Sequence, residues 1–240
     1  MNRLNIILIT LAILFITVVF ILQNAFKNNK FTCSKYILNT YLYILLSFIF
    51  IALLLQLLDY KKFNFRLNFI QFIGIFILTI GILILTMMTK PSNIILKHLL
   101  WMIFVLLIGI ILYPLYIHKS KESVLTALIS TIGITVILSI IAFVKPEWIS
   151  LKLGPILFIL LIAGIILELT SILLGGHRTP LIFKGFMYFF IVLFSLYILY
   201  DTKMLQIRAK NCIKADYVNE SLHLFLDIVN IFARMLSLGR

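Results

Sequence analysis

The sequence predicts an all-α, polytopic membrane helix bundle. Composition, the length of the apolar runs and the lack of strand alternation carry that prediction. Hydrophobic residues make up 63% of the chain and charged residues only 12%, and the mean hydropathy is +1.17. A soluble domain carries about twice that charged fraction, so too little polar side chain is present to cover a water-facing surface. Runs of about 20 apolar residues suffice to cross the hydrocarbon layer. In lipid every backbone amide must be satisfied internally, which leaves helices or a closed barrel, and no run here alternates with a period of two.

Eight runs follow in order: Leu4 to Leu22, Tyr41 to Leu58, Phe69 to Met88, His98 to Ile117, Ser123 to Val144, Pro155 to Leu174, Ile182 to Tyr200 and the weaker Val218 to Leu238. The first is longer than the apolar core of a signal peptide and no A-x-A-like site follows it, so residues 1–23 read as a retained transmembrane anchor. No connection is long enough to hold a soluble domain.

The net charge of +13 does not make a nucleic-acid face, because the Lys and Arg residues are scattered through short connections between apolar runs. They read instead as loop residues facing lipid headgroups. One set of alternate loops holds Lys27, Lys30, Lys35, Lys90, Lys97, Lys145, Lys152, Lys203, Arg208, Lys210 and Lys214; the other holds Arg3, Lys61, Lys62, Arg66, Lys119, Lys121, Arg178, Lys184 and Arg240. The small excess in the first set places the loop after Asp201 in the cytoplasm. Cys33 and Cys212 lie in charged loops without metal-site spacing, and read as free thiols on that side.

Small residues mark packing faces. The fifth run carries Thr126, Ser130 and Gly133 on one stripe and Thr131, Thr135 and Ser139 on another; Gly74, Gly81, Ala163 and Gly164 read the same way. A polar pathway lining is the other account of the hydroxyl stripes. Pro114 is placed to kink the fourth run.

Charge inside the apolar runs is the strongest functional signal, since an ionisable group there is costly unless it finds a proton, a cation or a partner. Asp201 closes the seventh run and Asp227 sits within the eighth. Glu220, His223, Asp227, Asn230 and Arg234 recur every three or four residues and form one polar stripe, opposite Leu222, Phe225, Val229, Phe232 and Met235. Two readings of this helix stand: a polar ridge facing protein or water, and an amphipathic helix lying flat on the membrane. His223, one turn from Asp227, is placed to bias its ionisation. Glu168, inside the sixth run, reads as a protonated carboxyl bonding across the bundle. His98, His118 and His177 read as interfacial. The motifs H-E-x-x-H and G-x-S-x-G and a Gly-rich phosphate loop are all missing, so the chain is not expected to be an enzyme.

The stretches FSLYILYDTKM, residues 194–204, and ADYVNESLHLFLDIVNIFARMLSLG, residues 215–239, closely resemble the C-terminal signature of the transmembrane Bax inhibitor motif family. The resemblance rests on Leu196, Tyr197, Tyr200, Asp201 and Thr202, on Asp216, Tyr217 and Val218, and on Leu224, Leu226, Asp227, Ile228, Asn230 and Phe232. It implies a seven-helix bundle over residues 36–240 with a central, relatively polar last helix, the segment before residue 24 being an extra hydrophobic helix. It also implies a pH-sensitive calcium leak that suppresses apoptosis, in which Asp201 and Asp227 hydrogen-bond to each other and sense protons. Some relatives latch the pair with an arginine, for which Lys90 is the nearest counterpart here. His223 and Arg234 depart from the family pattern.

Two carboxyls in contact share a proton and titrate as a pair. Calcium takes about six to eight oxygens, and two aspartates with Asn230 and backbone carbonyls offer fewer. The expected site is therefore a pH-sensing ion pathway of Asp201 and Asp227 supported by His223, Asn230, Glu168, Arg234 and Lys90. No metal is held tightly, no cofactor is expected, and the partners are the lipid bilayer and transient calcium. The membrane implied is endoplasmic reticulum or Golgi for a eukaryotic or viral chain, and the plasma membrane for a bacterial one. The alternatives are a non-conducting scaffold that binds cell-death regulatory proteins and a small-molecule or ion transporter.

Overall fold

The computed structural model describes residues 3–28, 30–61, 68–174 and 179–239. Lys62, Arg66, His177, Arg178 and Arg240 of the sequence reading lie outside these. Among the described residues eight helices are long and apolar enough to cross a membrane. They are α1 (Arg3–Ala25), α2 (Tyr36–Tyr60), α3 (Phe69–Met88), α4 (Ile94–Ile117), α5 (Lys121–Val144), α6 (Leu153–Leu173), α7 (Pro180–Lys210) and α8 (Tyr217–Leu238). A short antiparallel hairpin of β1 (Phe26–Lys27) and β2 (Lys30–Phe31) joins α1 to α2. The sequence reading missed it, since two-residue strands carry no periodic signal. Asn28 enters the turn at φ 53°, a left-handed value that Asn tolerates.

Helix starts follow capping chemistry. Asn68 and Gln71 form a reciprocal capping box at α3, Ser120 accepts from the Ser123 amide at α5, and Asp216 accepts from the Asn219 amide at α8. Large apolar side chains such as Phe15, Ile70, Ile95, Phe158 and Leu173 are exposed, which suits lipid rather than water as the surrounding solvent.

The chain forms two compact units. The first comprises Met1–His118 and Ala209–Leu222, the second Lys119–Arg208 and His223–Arg240. In the first unit α1 packs on α2, and α4 packs on both α2 and α3. Thr10 Oγ1 donates to Gln56 Oε1 at 3.1 Å and Asn39 Nδ2 to Asn24 O at 3.2 Å, two polar links within the α1–α2 seam. Gly109 lets α2 approach α4, because a Cβ there would meet Leu54 Cδ2 at 2.8 Å.

In the second unit α6 meets α7 at Gly164, where a Cβ would lie 2.5 Å from Phe189 Cε1. This agrees with the small-residue reading of Ala163–Gly164. Gly74 and Gly81 depart from it: nothing lies within 4 Å of a Cβ at either, so their helix faces are open rather than packed. Of the two α5 stripes, Thr131, Thr135 and Ser139 are buried while Thr126 is exposed. Thr131 Oγ1 donates to Ala127 O at 2.7 Å and Thr135 Oγ1 to Thr131 O at 2.8 Å, so these hydroxyls are satisfied within their own helix as packing residues.

α7 continues ten residues past the end of the apolar run. Lys203 Nζ donates to Ile149 O, and Gln206 Nε2 donates to Ala142 O at 2.8 Å. Backbone acceptors at the end of α5 and in the turn after it thus hold the polar last part of α7, and Asp201 lies inside the helix rather than at its end. At the opposite end of the same unit Lys119 Nζ donates to Gly239 O. The end of α8 therefore meets the start of α5. No described residue from Tyr217 to Gly239 is exposed. A helix lying flat on a membrane would leave one face open, so the flat reading is overturned.

Candidate functional site: a carboxyl pair between two membrane helices

α7 carries Asp201 and α8 carries Asp227, and the two side chains are hydrogen-bonded to each other. Two carboxyls make that bond only when one of them holds a proton, because ionised carboxylates are acceptors alone. Asp227 is 5% exposed, and its Oδ2 is shut from solvent with no hydrogen-bond partner. Tyr197, one helical turn before Asp201, lies within electrostatic reach of both carboxyls. The adjacent Thr202 is fully buried, with an unpartnered hydroxyl. The arrangement is a carboxyl pair flanked by the buried, unpartnered Asp227 Oδ2 and Thr202 hydroxyl.

The remaining members of the predicted stripe do other work. Arg234 does not join the aspartates. It forms a two-pronged ion pair with Glu168 of α6, Nη1 to Oε1 at 2.5 Å and Nη2 to Oε2 at 3.0 Å. The same guanidinium lies over the Phe190 ring, 4.3 Å from its centroid, and Nη1 reaches Met187 Sδ at 3.8 Å. Glu168 is thus bonded across to a guanidinium of α8, and Gly164, one turn before it, brings α6 close to the α7 aromatics. Asn230 Nδ2 donates back to Leu226 O at 2.8 Å, so its amide nitrogen is committed to its own helix. His223 is half-buried and within electrostatic reach of Arg208. Lys90 is exposed in the turn between α3 and α4, where its carbonyl accepts from the Asn93 amide at 3.0 Å. Among the described residues no three His, Cys, Asp or Glu side chains converge.

A second polar cluster, which sequence reasoning missed, lies in the first unit at the entry to α8. Lys97, counted above as a loop residue, is in the first turn of α4 with its side chain 0% exposed. Its Nζ donates to Asp216 Oδ2 at 2.7 Å and to Thr89 O at 2.8 Å. Tyr217 is fully buried, and its hydroxyl donates to Thr32 O and lies 3.3 Å from Ser34 O. His98, near the start of α4, is held in this cluster: Nε2 lies 2.7 Å from the Tyr43 hydroxyl and Nδ1 lies 2.7 Å from Ile94 O. Phe31, Trp101 and Tyr217 pack around Tyr43. Cys33 and Cys212 are not free thiols but a disulfide with Cα atoms 5.9 Å apart. The readable signal was parity: both cysteines fall in loops of the same alternate set.

Comparison with known sequences bears directly on this geometry. A family model described as "Inhibitor of apoptosis-promoting Bax1" matches residues 33–239, which include both aspartates, the Glu168–Arg234 pair and the cluster around Lys97. An uncharacterized protein of Helicobacter pylori (strain ATCC 700392 / 26695) is 29% identical over 141 residues, a stretch covering 56% of this chain and 57% of that relative.

Proposed function

From the premise that this chain belongs to the Bax inhibitor family, we propose that it is a pH-sensitive calcium leak protein of a cellular membrane, gated by Asp201 and Asp227, and that it suppresses cell death. The observation that carries the reading is the hydrogen bond between these two carboxyls on helices that cross the membrane. The bond exists only while a proton is shared. As pH rises through the titration of the pair, the proton leaves and two negative charges face each other in a medium that screens them poorly. Separation of α7 from α8 or entry of a cation relieves that repulsion. Two carboxylates without a full oxygen cage bind calcium weakly, which lets the ion leave as readily as it enters.

The test is calcium flux into liposomes carrying the full chain, measured at several pH values. Wild-type flux is expected to change with pH. Asp201→Asn and Asp227→Asn, which keep size and polarity but remove the titration, are expected to give flux that no longer depends on pH. Unchanged pH dependence in both variants refutes the sensor role.

A further inference from the structure

We propose that Cys33–Cys212 is a thiol–disulfide exchange site, a releasable clamp that ties the β1–β2 hairpin to the loop entering α8. The bond joins positions 179 residues apart, both outside the helices. Cys33 is exposed and Cys212 half-buried, both in turns, so an attacking thiol has access. Lys30 and Lys35 flank one cysteine in sequence and Lys210 and Lys214 the other. Positive charge nearby stabilises a departing thiolate and makes exchange easier.

The seam that the bond closes is open beside it. A cleft of about 130 Å³ is lined by Lys30, Phe31, Ile94, Ile213 and Lys214, between the hairpin, the start of α4 and the loop before α8. Beside the disulfide the Tyr217 hydroxyl reaches the carbonyls of Thr32 and Ser34, on either side of Cys33, and its ring packs on Phe31. Opening the bond therefore leaves a folded chain with a looser hairpin. The loops concerned carry Lys27, Lys30, Lys35, Lys90 and Lys214. Such enrichment favours the cytoplasmic side, where disulfides are transient and redox-sensing rather than permanent.

The chemistry balances with a cellular thiol such as glutathione. A thiolate attacks one sulfur, forming a mixed disulfide, and the other cysteine leaves as a thiolate and takes up a proton. A second thiol resolves the mixed disulfide. Two electrons pass to the protein, which ends with two thiols, and two glutathione molecules end as one disulfide.

The experiment uses the full chain in nanodiscs, incubated in glutathione buffers from oxidised to reduced, quenched with acid and labelled with a polyethylene-glycol maleimide. Both cysteines are expected to pass from blocked to labelled at cellular millimolar levels of reduced glutathione, without denaturant. Tryptic cleavage after Lys27, Lys30 and Lys214 is expected to quicken several-fold on reduction. The Cys33→Ser, Cys212→Ser double variant should show the fast rate in every buffer. A bond that opens only in denaturant marks a permanent staple and overturns the proposal. So does hairpin cleavage that is unchanged after the wild-type bond opens, a result that needs no variant. Labelling and cleavage are independent of calcium, so absence of calcium flux would sink the leak reading while leaving the exchange site standing.

Discussion

Arg234 is held by three neighbours at once: both oxygens of Glu168, the face of Phe190 and the sulfur of Met187. The side chains of the ion pair are only 21% and 14% exposed, so neither charge is left to water if its partner goes. Breaking a fully buried pair from one side costs about 3–5 kcal/mol and a half-buried one less, whereas replacing both partners by apolar groups is near neutral. Glu168→Gln or Arg234→Gln is therefore expected to lower the melting temperature of the detergent-solubilised protein by many degrees. Glu168→Leu combined with Arg234→Leu should recover most of the loss, and an additive double variant would show that the two residues act separately. Tyr217→Phe tests the second cluster. It removes the donor to the Thr32 and Ser34 carbonyls, and should cost about 1–3 kcal/mol in the same melt. The aspartate pair differs from both, because its bond depends on a proton rather than on a fixed opposite charge.

Helix packing has its own test in the glycines. Gly164 sits where α7 aromatics fill the space of a side chain, while Gly74 and Gly81 face nothing within 4 Å. Gly164→Val should lower the melting temperature and weaken the Glu168–Arg234 pair that the close approach allows. Gly74→Ala and Gly81→Ala should hold or raise it, since Ala is favoured over Gly inside a helix by about 1 kcal/mol. All eight helices were legible in the sequence because apolar length is a local property, read one segment at a time. Their ends were less so. Lys97 and Lys203 look like loop residues until their acceptors, Asp216 and Thr89 for the first and Ile149 for the second, come close in the fold. Asp201 and Asp227 were readable because charge in an apolar run is conspicuous and the surrounding letters match a signature. Arg234 with Glu168 and Cys33 with Cys212 were not, since a partner 66 or 179 residues away leaves no trace in local spacing.

Six helices, α2 to α7, separate Cys33 from Cys212, and four, α4 to α7, separate Lys97 from Asp216. An even number of crossings returns the chain to the side it left, so the disulfide and the ion pair each agree with every intervening helix spanning. In the second unit Lys119 and Gly239 meet across four helices, α5 to α8, which extends the agreement to the last one. Eight described helices are long and apolar enough to cross, and eight crossings would put both ends on one side, opposite the loop before α8. A reporter fused at Met1 or at Arg240 should therefore read the same compartment, and a single-cysteine probe at Lys214 the other, when impermeant maleimide is applied to intact cells with the native cysteines replaced by Ser. The small excess of basic residues in that set of loops leads us to expect the Lys214 side in the cytoplasm, so that probe should stay unlabelled until the membrane is opened. Labelling of Lys214→Cys in intact cells would reverse the orientation and place Cys33 and Cys212 in an oxidising space, where their bond would be permanent.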